Sequence, residues 1–555
     1  MIDNGQRPPP SGAAAIVAAL AGAGTRIVFG LPGGGPNLDV VGAAGAAGLR
    51  FVLTHTESAA AIMAATYADL TGAPGAVVVT RGPGLASAVN GIAHAALDRL
   101  PVVVIADTVH SAEADRISHQ RLDLAGLGRP VAKAVLTVGG GQAGAAAADA
   151  ARLALAAPPG PVIALMDDSA GLSPAPAGPG TSAAEPADGS NQDLATLARA
   201  LGAARRPVLL LGADAIPHTA PLRAALLGSG LPALHTYRAR GIVPDSAAEA
   251  AGLVTGGTME WPLLAAADLI IGLGVDEAEM IPGPWAYPAA TVLVAGYPAR
   301  PGAASYFTGA SVLRVPLPEA IGLLAGRGHD WPPGTGRTAR TAVARRLAET
   351  ARAAPGALAP QQVAATARAQ LPAGCLATVD AGAHMLAVMP LWEVAQPHHL
   401  LISSGLATMG FALPAAIAAA LCAPGQPVVA FTGDGGLGMT LAEIETAVRL
   451  GLWIVVIVFN DAALSLIKIK QRPAGQGGGE AVDYGQVSYA RAAEAMGAAA
   501  VAVPDEAGLA EALAAALRRD GPTVIDVRVD PASYPMIMDL SRGDAGRQPL
   551  FAHCP

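Results

Sequence analysis

Val428 to Asp461, VVAFTGDGGLGMTLAEIETAVRLGLWIVVIVFND, reads as strand, glycine-rich turn, helix, strand. Val428 to Phe431 is a short apolar run that Gly433-Asp434-Gly435-Gly436 cannot continue. Leu441, Ile444, Ala447 and Val448 then recur at helical spacing before the buried-type run Leu452 to Phe459. A unit of this kind aims backbone N–H groups from the glycine turn and the helix N-terminus at one place, and that place suits a phosphate.

Two cofactors fit such a place. Gly433, Gly435 and Gly438 satisfy G-x-G-x-x-G, and Asp461 ends the next strand, where a dinucleotide-binding unit keeps its ribose-binding acid. Asp434 argues against that reading, because it sets a carboxylate beside a pyrophosphate unless a divalent metal lies between them. Asp434 and the pair Asn460-Asp461 fall at the carboxyl ends of successive strands, so their oxygens are expected to converge on one Mg²⁺ that holds a diphosphate.

Working outward, short β runs alternate with helical stretches from Ser11 to Asp168: Ile27–Phe29, Phe51–Thr54, Ala76–Val79, Val102–Ile105 and Val162–Leu165. This alternation predicts a parallel sheet covered on both faces. Residues 169–190, rich in Pro, Ala, Gly and Ser, read as a linker. A second α/β segment, 191–326, carries the runs PVLLLG, LPALHT, DLIIGLG and TVLVAG. A second linker, 327–360, holds a helix expected at Thr341–Ala354. The third α/β segment spans 361–529, and a tail, 530–555, has few structural signals. Val77 to Asp107 repeats the strand, glycine loop, helix, strand order of Val428 to Asp461. The expected fold is therefore α/β, with three doubly wound parallel-sheet domains.

The 555 residues carry a net charge of −8, which offers no basic field to nucleic acid or an anionic membrane. Cys375, Cys422 and Cys554 lack C-x-x-C spacing, which points to reduced thiols and neither a disulfide framework nor a zinc site. The N-terminus lacks the basic-then-apolar order of a signal peptide, and no apolar run is long enough to span a bilayer. A cytoplasmic location is expected.

Gly433-Asp434-Gly435 followed by Asn460-Asp461 resembles the GDG…NN signature of thiamine-diphosphate (ThDP) enzymes, with Asp461 where the second Asn usually stands. The resemblance implies three modules: pyrimidine-binding, central and diphosphate-binding. It assigns Asp434, Asp461 and the Ala463 carbonyl to Mg²⁺, and implies a homodimer or homotetramer with the site between subunits. Glu57, in THTESAA, reads locally as a first-turn glutamate capped from Thr54 or Thr56. The same segment is similar to the one around the family's activating glutamate, which hydrogen-bonds the aminopyrimidine. FGLPGG, with Gly33, and TRGPGLASAVN, with Thr80, Gly82 and Asn90, resemble the loops that line the pyrimidine. DAGAH, with Gly382, Ala383 and His384, resembles a diphosphate-side loop that joins Gly433, Gly435 and Gly436. SGLATMGFALP is similar to the segment whose bulky residue, here Met409 after Ala407, props the bent cofactor; Leu464 and Ile467 join the cofactor-binding residues, and Leu466 and Ile467 face the substrate by position. For Met409, plain core packing is an equally valid role.

Within this superfamily the chain looks most like FAD-independent acetolactate synthases. His119-Gln120, in RISHQRLDL, resembles their HQ segment near the reacting centre, and a surface loop is the alternative reading. The paired His-His that many decarboxylases carry in the first module is absent from it, since His110 and His119 stand alone there. This implies decarboxylation of a 2-keto acid, pyruvate favoured, with ligation of the enamine to a second carbonyl. A ThDP-dependent decarboxylase or benzaldehyde lyase-like enzyme acting on a larger substrate is the alternative. Asp276, Glu277 and Glu279 follow the Gly-x-Gly strand of the central segment, where they would repel a flavin diphosphate, so FAD is not expected. Gly475, Gly477, Gly478 and Gly479 suggest a lid.

Overall fold

A computed structural model describes residues 11–109, 116–138, 142–167, 191–280, 285–297, 306–471 and 479–543. The stretch read as the first linker and the glycines 475, 477 and 478 lie outside them.

Three parallel sheets, each of six strands among the described residues, organise the chain. The first contains β1 (Ile27–Leu31), β2 (Arg50–Leu53), β3 (Gly75–Val79), β4 (Val102–Asp107), β5 (Ala134–Val138) and β6 (Val162–Met166), in the order 2-1-3-4-6-5. The second contains β7 (Pro207–Leu211), β8 (Ala233–His235), β9 (Ala250–Leu253), β10 (Leu269–Leu273), β11 (Ala290–Val294) and β12 (Ser311–Leu313), in the order 12-11-10-7-8-9. The third contains β13 (Leu376–Val379), β14 (Leu400–Ile402), β15 (Val428–Gly433), β16 (Ile454–Asn460), β17 (Ala499–Val503) and β18 (Thr523–Arg528), in the order 14-13-15-16-18-17. One compact unit is built on the first sheet together with Ile417–Pro424 and Glu445–Leu450; the other contains the second and third sheets.

The central strands β3, β4 and β16 are buried along their whole length, as β-branched runs must be when helices cover both faces. The first and third sheets share one strand order, and the two halves of the sequence echo occupy equivalent places in it, β3–β4 and β15–β16. Arg240, buried in the second sheet's layer, donates to the carbonyls of Met389 and Trp392 and to Asp245, and Asp245 accepts from Val394 N at 2.7 Å. Trp392 is in turn packed edge-on against Phe431 of β15.

Several local expectations need correction. The strands β5, β9 and β12 were not expected; β9 and β12 are short, and β5 is only half-buried, so their periodicity is faint. The helix expected at Thr341–Ala354 spans Thr335–Glu349, where Gly334 in a left-handed conformation (φ 75°) precedes it and only Gly336 and Leu347 are buried. The tail is not without structure: Tyr534–Arg542 is helical and buries Tyr534, Ile537 and Leu540. The glycines after β15 do not form a separate turn, since the helix Asp434–Thr440 begins at once. Gly436 admits this course because a Cβ there would stand 2.0 Å from Asp380 Oδ2.

The second sheet has the strand order of dinucleotide-binding folds, with its switch point between β7 and β10. There Glu279, 8% exposed, accepts from Ala213 N (3.0 Å), Thr236 Oγ1 (2.6 Å) and Asp276 N (3.3 Å). Burial pushes its carboxyl up to about 7. Gly212 and Gly274 close the same crevice: a Cβ on Gly212 would lie 2.3 Å from Gly274 O. Among the described residues no helix is long and apolar enough to cross a membrane.

Candidate active site

In the first unit, Glu57 opens the helix Glu57–Thr71. Thr56 is the N-cap, accepting from Ala59 N at 3.1 Å, while Thr54 Oγ1 donates to Thr56 O at 2.9 Å. The caps thus come from the neighbouring threonines, and Glu57 is half-buried with no hydrogen bond from its carboxylate to a described residue. Ser87 and Gly91 of the helix Pro83–Leu97 pack on its first turns: Ser58 Oγ donates to Ser87 O at 2.5 Å, and a Cβ on Gly91 would meet Ala61 Cβ at 2.5 Å. Asn90 is exposed on this same stretch. Gly33 lies against Thr80, where a Cβ would stand 2.4 Å from Thr80 Oγ1. Gly82 (φ 65°) lies against Gln120, whose carbonyl would be 2.8 Å from a Cβ. Gln120 is itself left-handed at φ 55°, an uncommon state for a residue with a Cβ, and both it and His119 are exposed.

In the second unit, Asp434 and Asp461 stand at the ends of the paired strands β15 and β16. Asp434, 3% exposed, accepts from Gly435 N (2.7 Å) and Tyr484 Oη (2.7 Å) through Oδ1, and from Asp461 N (3.2 Å) and Ala462 N (2.6 Å) through Oδ2. Asp461 accepts from Ser465 Oγ at 2.6 Å and Ala463 N at 3.3 Å. Asn460 does not join them: its amide donates to Asp526 (2.8 Å) and Val487 O (2.9 Å) and accepts from Gln486, so its oxygen is turned aside. An isolated bridge pairs Ala463 with Asp483 through the carbonyls of Ala462 and Val482, leaving the Ala463 carbonyl outside those bonds. Ala462 is held left-handed at φ 57°.

Around this pair, Met409 and Leu464 converge on Gly435, where a Cβ would lie 3.2 Å from Met409 Cε and 3.0 Å from Leu464 Cδ2. Ala407 is exposed and left-handed (φ 51°), and Ile467 is exposed on the short helix Ser465–Lys470. The loop after β13 brings Gly382, Ala383 and His384 alongside Gly433, where a Cβ would stand 3.3 Å from the His384 ring.

The electrostatics carry the clearest signal. Burial, and then the charge of Asp434, push the Asp461 carboxyl up to about 7 against the opposing hydrogen bond from Ser465. Burial also raises Asp434, although four donors face it. Two neighbouring carboxylates, both raised by burial and one also by the other's charge, are what a divalent cation relieves, and Mg²⁺ needs only one or two protein carboxylates when phosphate and water supply the rest. No cluster of three or more His, Cys, Asp or Glu that could hold a metal ion occurs among the described residues. Burial drives His384 down to about 4, so its ring is neutral, and its Nε2 is buried with no partner. Gly433 and Gly382 lie against the Cε1–Nδ1 edge of this ring, where a side chain would be crowded out, and the orphaned Nε2 is a buried group that an oxygen acceptor would satisfy.

Comparison with known proteins follows the same division. The family described as thiamine pyrophosphate enzyme, N-terminal TPP binding domain, matches residues 10–127, and the C-terminal TPP binding domain matches 380–527. The catabolic acetolactate synthase of Raoultella terrigena is 30% identical, covering 95% of this chain and 96% of that protein. This chain belongs to the ThDP-dependent acetolactate synthase family. The acetolactate synthase of Bacillus subtilis is 28% identical over 94% of this chain and 93% of its own, and acetolactate synthase isozyme 1 large subunit of Escherichia coli is 29% identical over 95% and 96%. In fold it is similar to a Rhodococcus jostii ThDP-dependent 4-hydroxybenzoylformate decarboxylase, at TM-score 0.77 and 21% identity over 94% of this chain and 99% of that one.

Two polar groups around Asp434 were not singled out by the sequence, and a third, Asp380, enters it only as the first residue of DAGAH. Tyr484 donates to Asp434 Oδ1, and Tyr489 Oη donates to Asp434 O at 2.7 Å. Asp380, buried, gathers Gly410 N (3.1 Å), Phe411 N (2.9 Å) and Thr432 Oγ1 (3.0 Å), and so ties the Met409 segment to β15. The only available signal was an acid ending an apolar strand run, LATVD. Nothing local marks the tyrosines.

Proposed function

We propose that this enzyme decarboxylates a 2-keto acid, pyruvate by preference, and joins the retained acyl unit to a second carbonyl, with ThDP and Mg²⁺ as cofactors. The observation that carries this reading is the pair of buried carboxylates Asp434 and Asp461 at the ends of adjacent strands, both raised by burial, in a chain of this family. Bound ThDP supplies the carbon nucleophile and the electron sink.

The chain's own residues do the rest. Asp434, Asp461 and the Ala463 carbonyl hold the metal, while Gly433, Gly435, Gly436, Gly382, Ala383 and His384 receive the diphosphate. Ala407, Met409, Leu464 and Ile467 support the cofactor, and Leu466 and Ile467 give the substrate an apolar wall. Glu57, whose carboxylate has no hydrogen bond to a described residue, holds a proton at the pyrimidine, with Gly33, Thr80, Gly82 and Asn90 forming that side. Gln120 and His119 orient the reacting carbonyl. Low polarity at the reacting centre strengthens each of these interactions.

The site forms between two copies of the chain, as a homodimer or homotetramer. In support, Leu38, Leu53, Leu122, Met439 and Ile467 are large apolar side chains 41% exposed or more, and each lies close in sequence to a candidate site residue. The second sheet is structural and holds no FAD: the buried Glu279 carboxylate takes the backbone N–H that a dinucleotide phosphate would use, and Gly212 against Gly274 closes its crevice.

The test is acetolactate and CO₂ release from pyruvate, with ThDP and Mg²⁺ together and each omitted. Acetolactate only with both supports the reading. CO₂ or aldehyde without acetolactate moves the enzyme to a decarboxylase or lyase acting on other substrates.

A further inference from the structure

The folded chain holds the Asp434 carboxylate from four sides, and one of the four donors differs in kind from the rest. Oδ2 accepts from Asp461 N (3.2 Å) and Ala462 N (2.6 Å), and Oδ1 accepts from Gly435 N (2.7 Å). These three are backbone N–H groups, fixed where β16 ends and where the helix Asp434–Thr440 begins. The fourth is Tyr484 Oη, 2.7 Å from Oδ1, at the tip of a side chain that is 38% exposed. A carboxylate offers about four lone-pair sites, so the set is full. Ligation of a metal by Asp434 therefore requires one donor to withdraw.

The backbone around Tyr484 is pinned. Tyr484 N donates to Ala462 O at 3.0 Å, and Leu464 N donates to Val482 O at 2.8 Å. Val482 is buried, and Asp483 pairs with Lys468 Nζ at 2.8 Å. The segment is thus stitched to the residues that follow β16, among them Asp461 and Ala463. The exposed phenol, by contrast, turns about its own side-chain bonds, a freedom that none of the three backbone donors has. Turned toward solvent, its hydroxyl exchanges the carboxylate for water.

We propose that Tyr484 is a displaceable latch on the metal ligand: its hydroxyl holds Asp434 Oδ1 until a divalent cation is ligated there, and then turns out to solvent. The inference rests on the reading of Asp434 as a metal ligand and adds to it the group that gives way. Without metal, the hydroxyl satisfies a buried carboxylate and stabilises the fold. With metal, it contributes nothing to the site, so the cation's affinity is lowered by the hydrogen bond that is given up.

The test uses the full chain and Tyr484→Phe, which keeps the ring and removes the hydroxyl. Bound Mn²⁺ is counted by paramagnetic resonance at saturating ThDP, and thermal unfolding is followed both in chelator and in excess Mn²⁺ with ThDP. Tyr484→Phe should bind Mn²⁺ about tenfold more tightly, as release of one hydrogen bond to a charged group requires. Its unfolding midpoint should lie below that of wild type in chelator, and the deficit should vanish in excess Mn²⁺ with ThDP. Weaker Mn²⁺ binding by Tyr484→Phe overturns the proposal, since the hydroxyl then stays on the ligated carboxylate; unchanged binding overturns it too. Asp434→Ala separates the latch from the reading beneath it, because this variant should lose Mn²⁺ whatever Tyr484 does. Binding that survives Asp434→Ala removes the metal reading and the latch together, whereas loss there beside unchanged binding in Tyr484→Phe removes the latch alone.

Discussion

Replacing Asp461 with Asn should make the metal-free protein more stable while weakening its hold on a divalent cation. Asp461 is partly buried, and burial followed by the Asp434 charge pushes its carboxyl from an ordinary 3.8 up to about 7. The folded state therefore keeps a proton that the unfolded chain has already released. Stability falls as pH rises from 3.8 through about 7, and the full penalty is present above that. At about 1.4 kcal/mol per pH unit the ceiling is about 4 kcal/mol; contact with solvent discounts it to about 2 kcal/mol. Asn keeps the shape and an oxygen for the Ser465 hydroxyl, but has no charge to desolvate.

Urea unfolding in chelator should thus show the variant more stable by about 2 kcal/mol near pH 8, and equal to wild type near pH 4, where both are neutral. Saturating Mg²⁺ and ThDP should shrink or reverse the gap, because wild type gains a cation for two carboxylates and the variant for one. Equal stability near pH 8, or a gap that persists at low pH, would refute the assignment of strain to this pair.

Three further outcomes follow from the same geometry. Glu57→Gln should bind ThDP with Mg²⁺ as wild type does, yet turn over about 100-fold more slowly or worse; near wild-type turnover would remove Glu57 from its role. Gly436→Ala should cost about 3 kcal/mol and abolish cofactor binding, because its Cβ would displace Asp380 Oδ2 from Gly410 N and Thr432 Oγ1. As a control, Gly202→Ala, with nothing within 4 Å, should leave stability unchanged or raised by up to about 1 kcal/mol in urea titrations. Burial lowers His235 to about 4 from 6.5, so the fold excludes a proton that the unfolded chain takes up, and stability is lost as pH falls between those values. His235→Gln should remove up to about 3 kcal/mol of that acid-induced loss, and an unchanged pH profile would contradict it.

What the sequence determined by itself is the set of elements and their chemical type. Runs such as VVVIAD and IVVIVFN, apolar at every position but the last and separated by helical stretches, are satisfied by parallel strands covered on both faces. GDG at the end of one such run, and an acid at the end of the next, mark two carboxylates of the segment that matches a C-terminal TPP binding domain. Only the tertiary structure decided which strands are neighbours, because local periodicity records burial and not pairing. It made the first and third sheets share an order and gave the central one a dinucleotide-type order whose crevice Glu279 fills. It also turned Asn460 toward Asp526 and brought the Tyr484 hydroxyl onto Asp434 from fifty positions away. A side chain's hydrogen-bond partner is chosen through space after the sheets assemble, and no residue spacing along the chain encodes that choice.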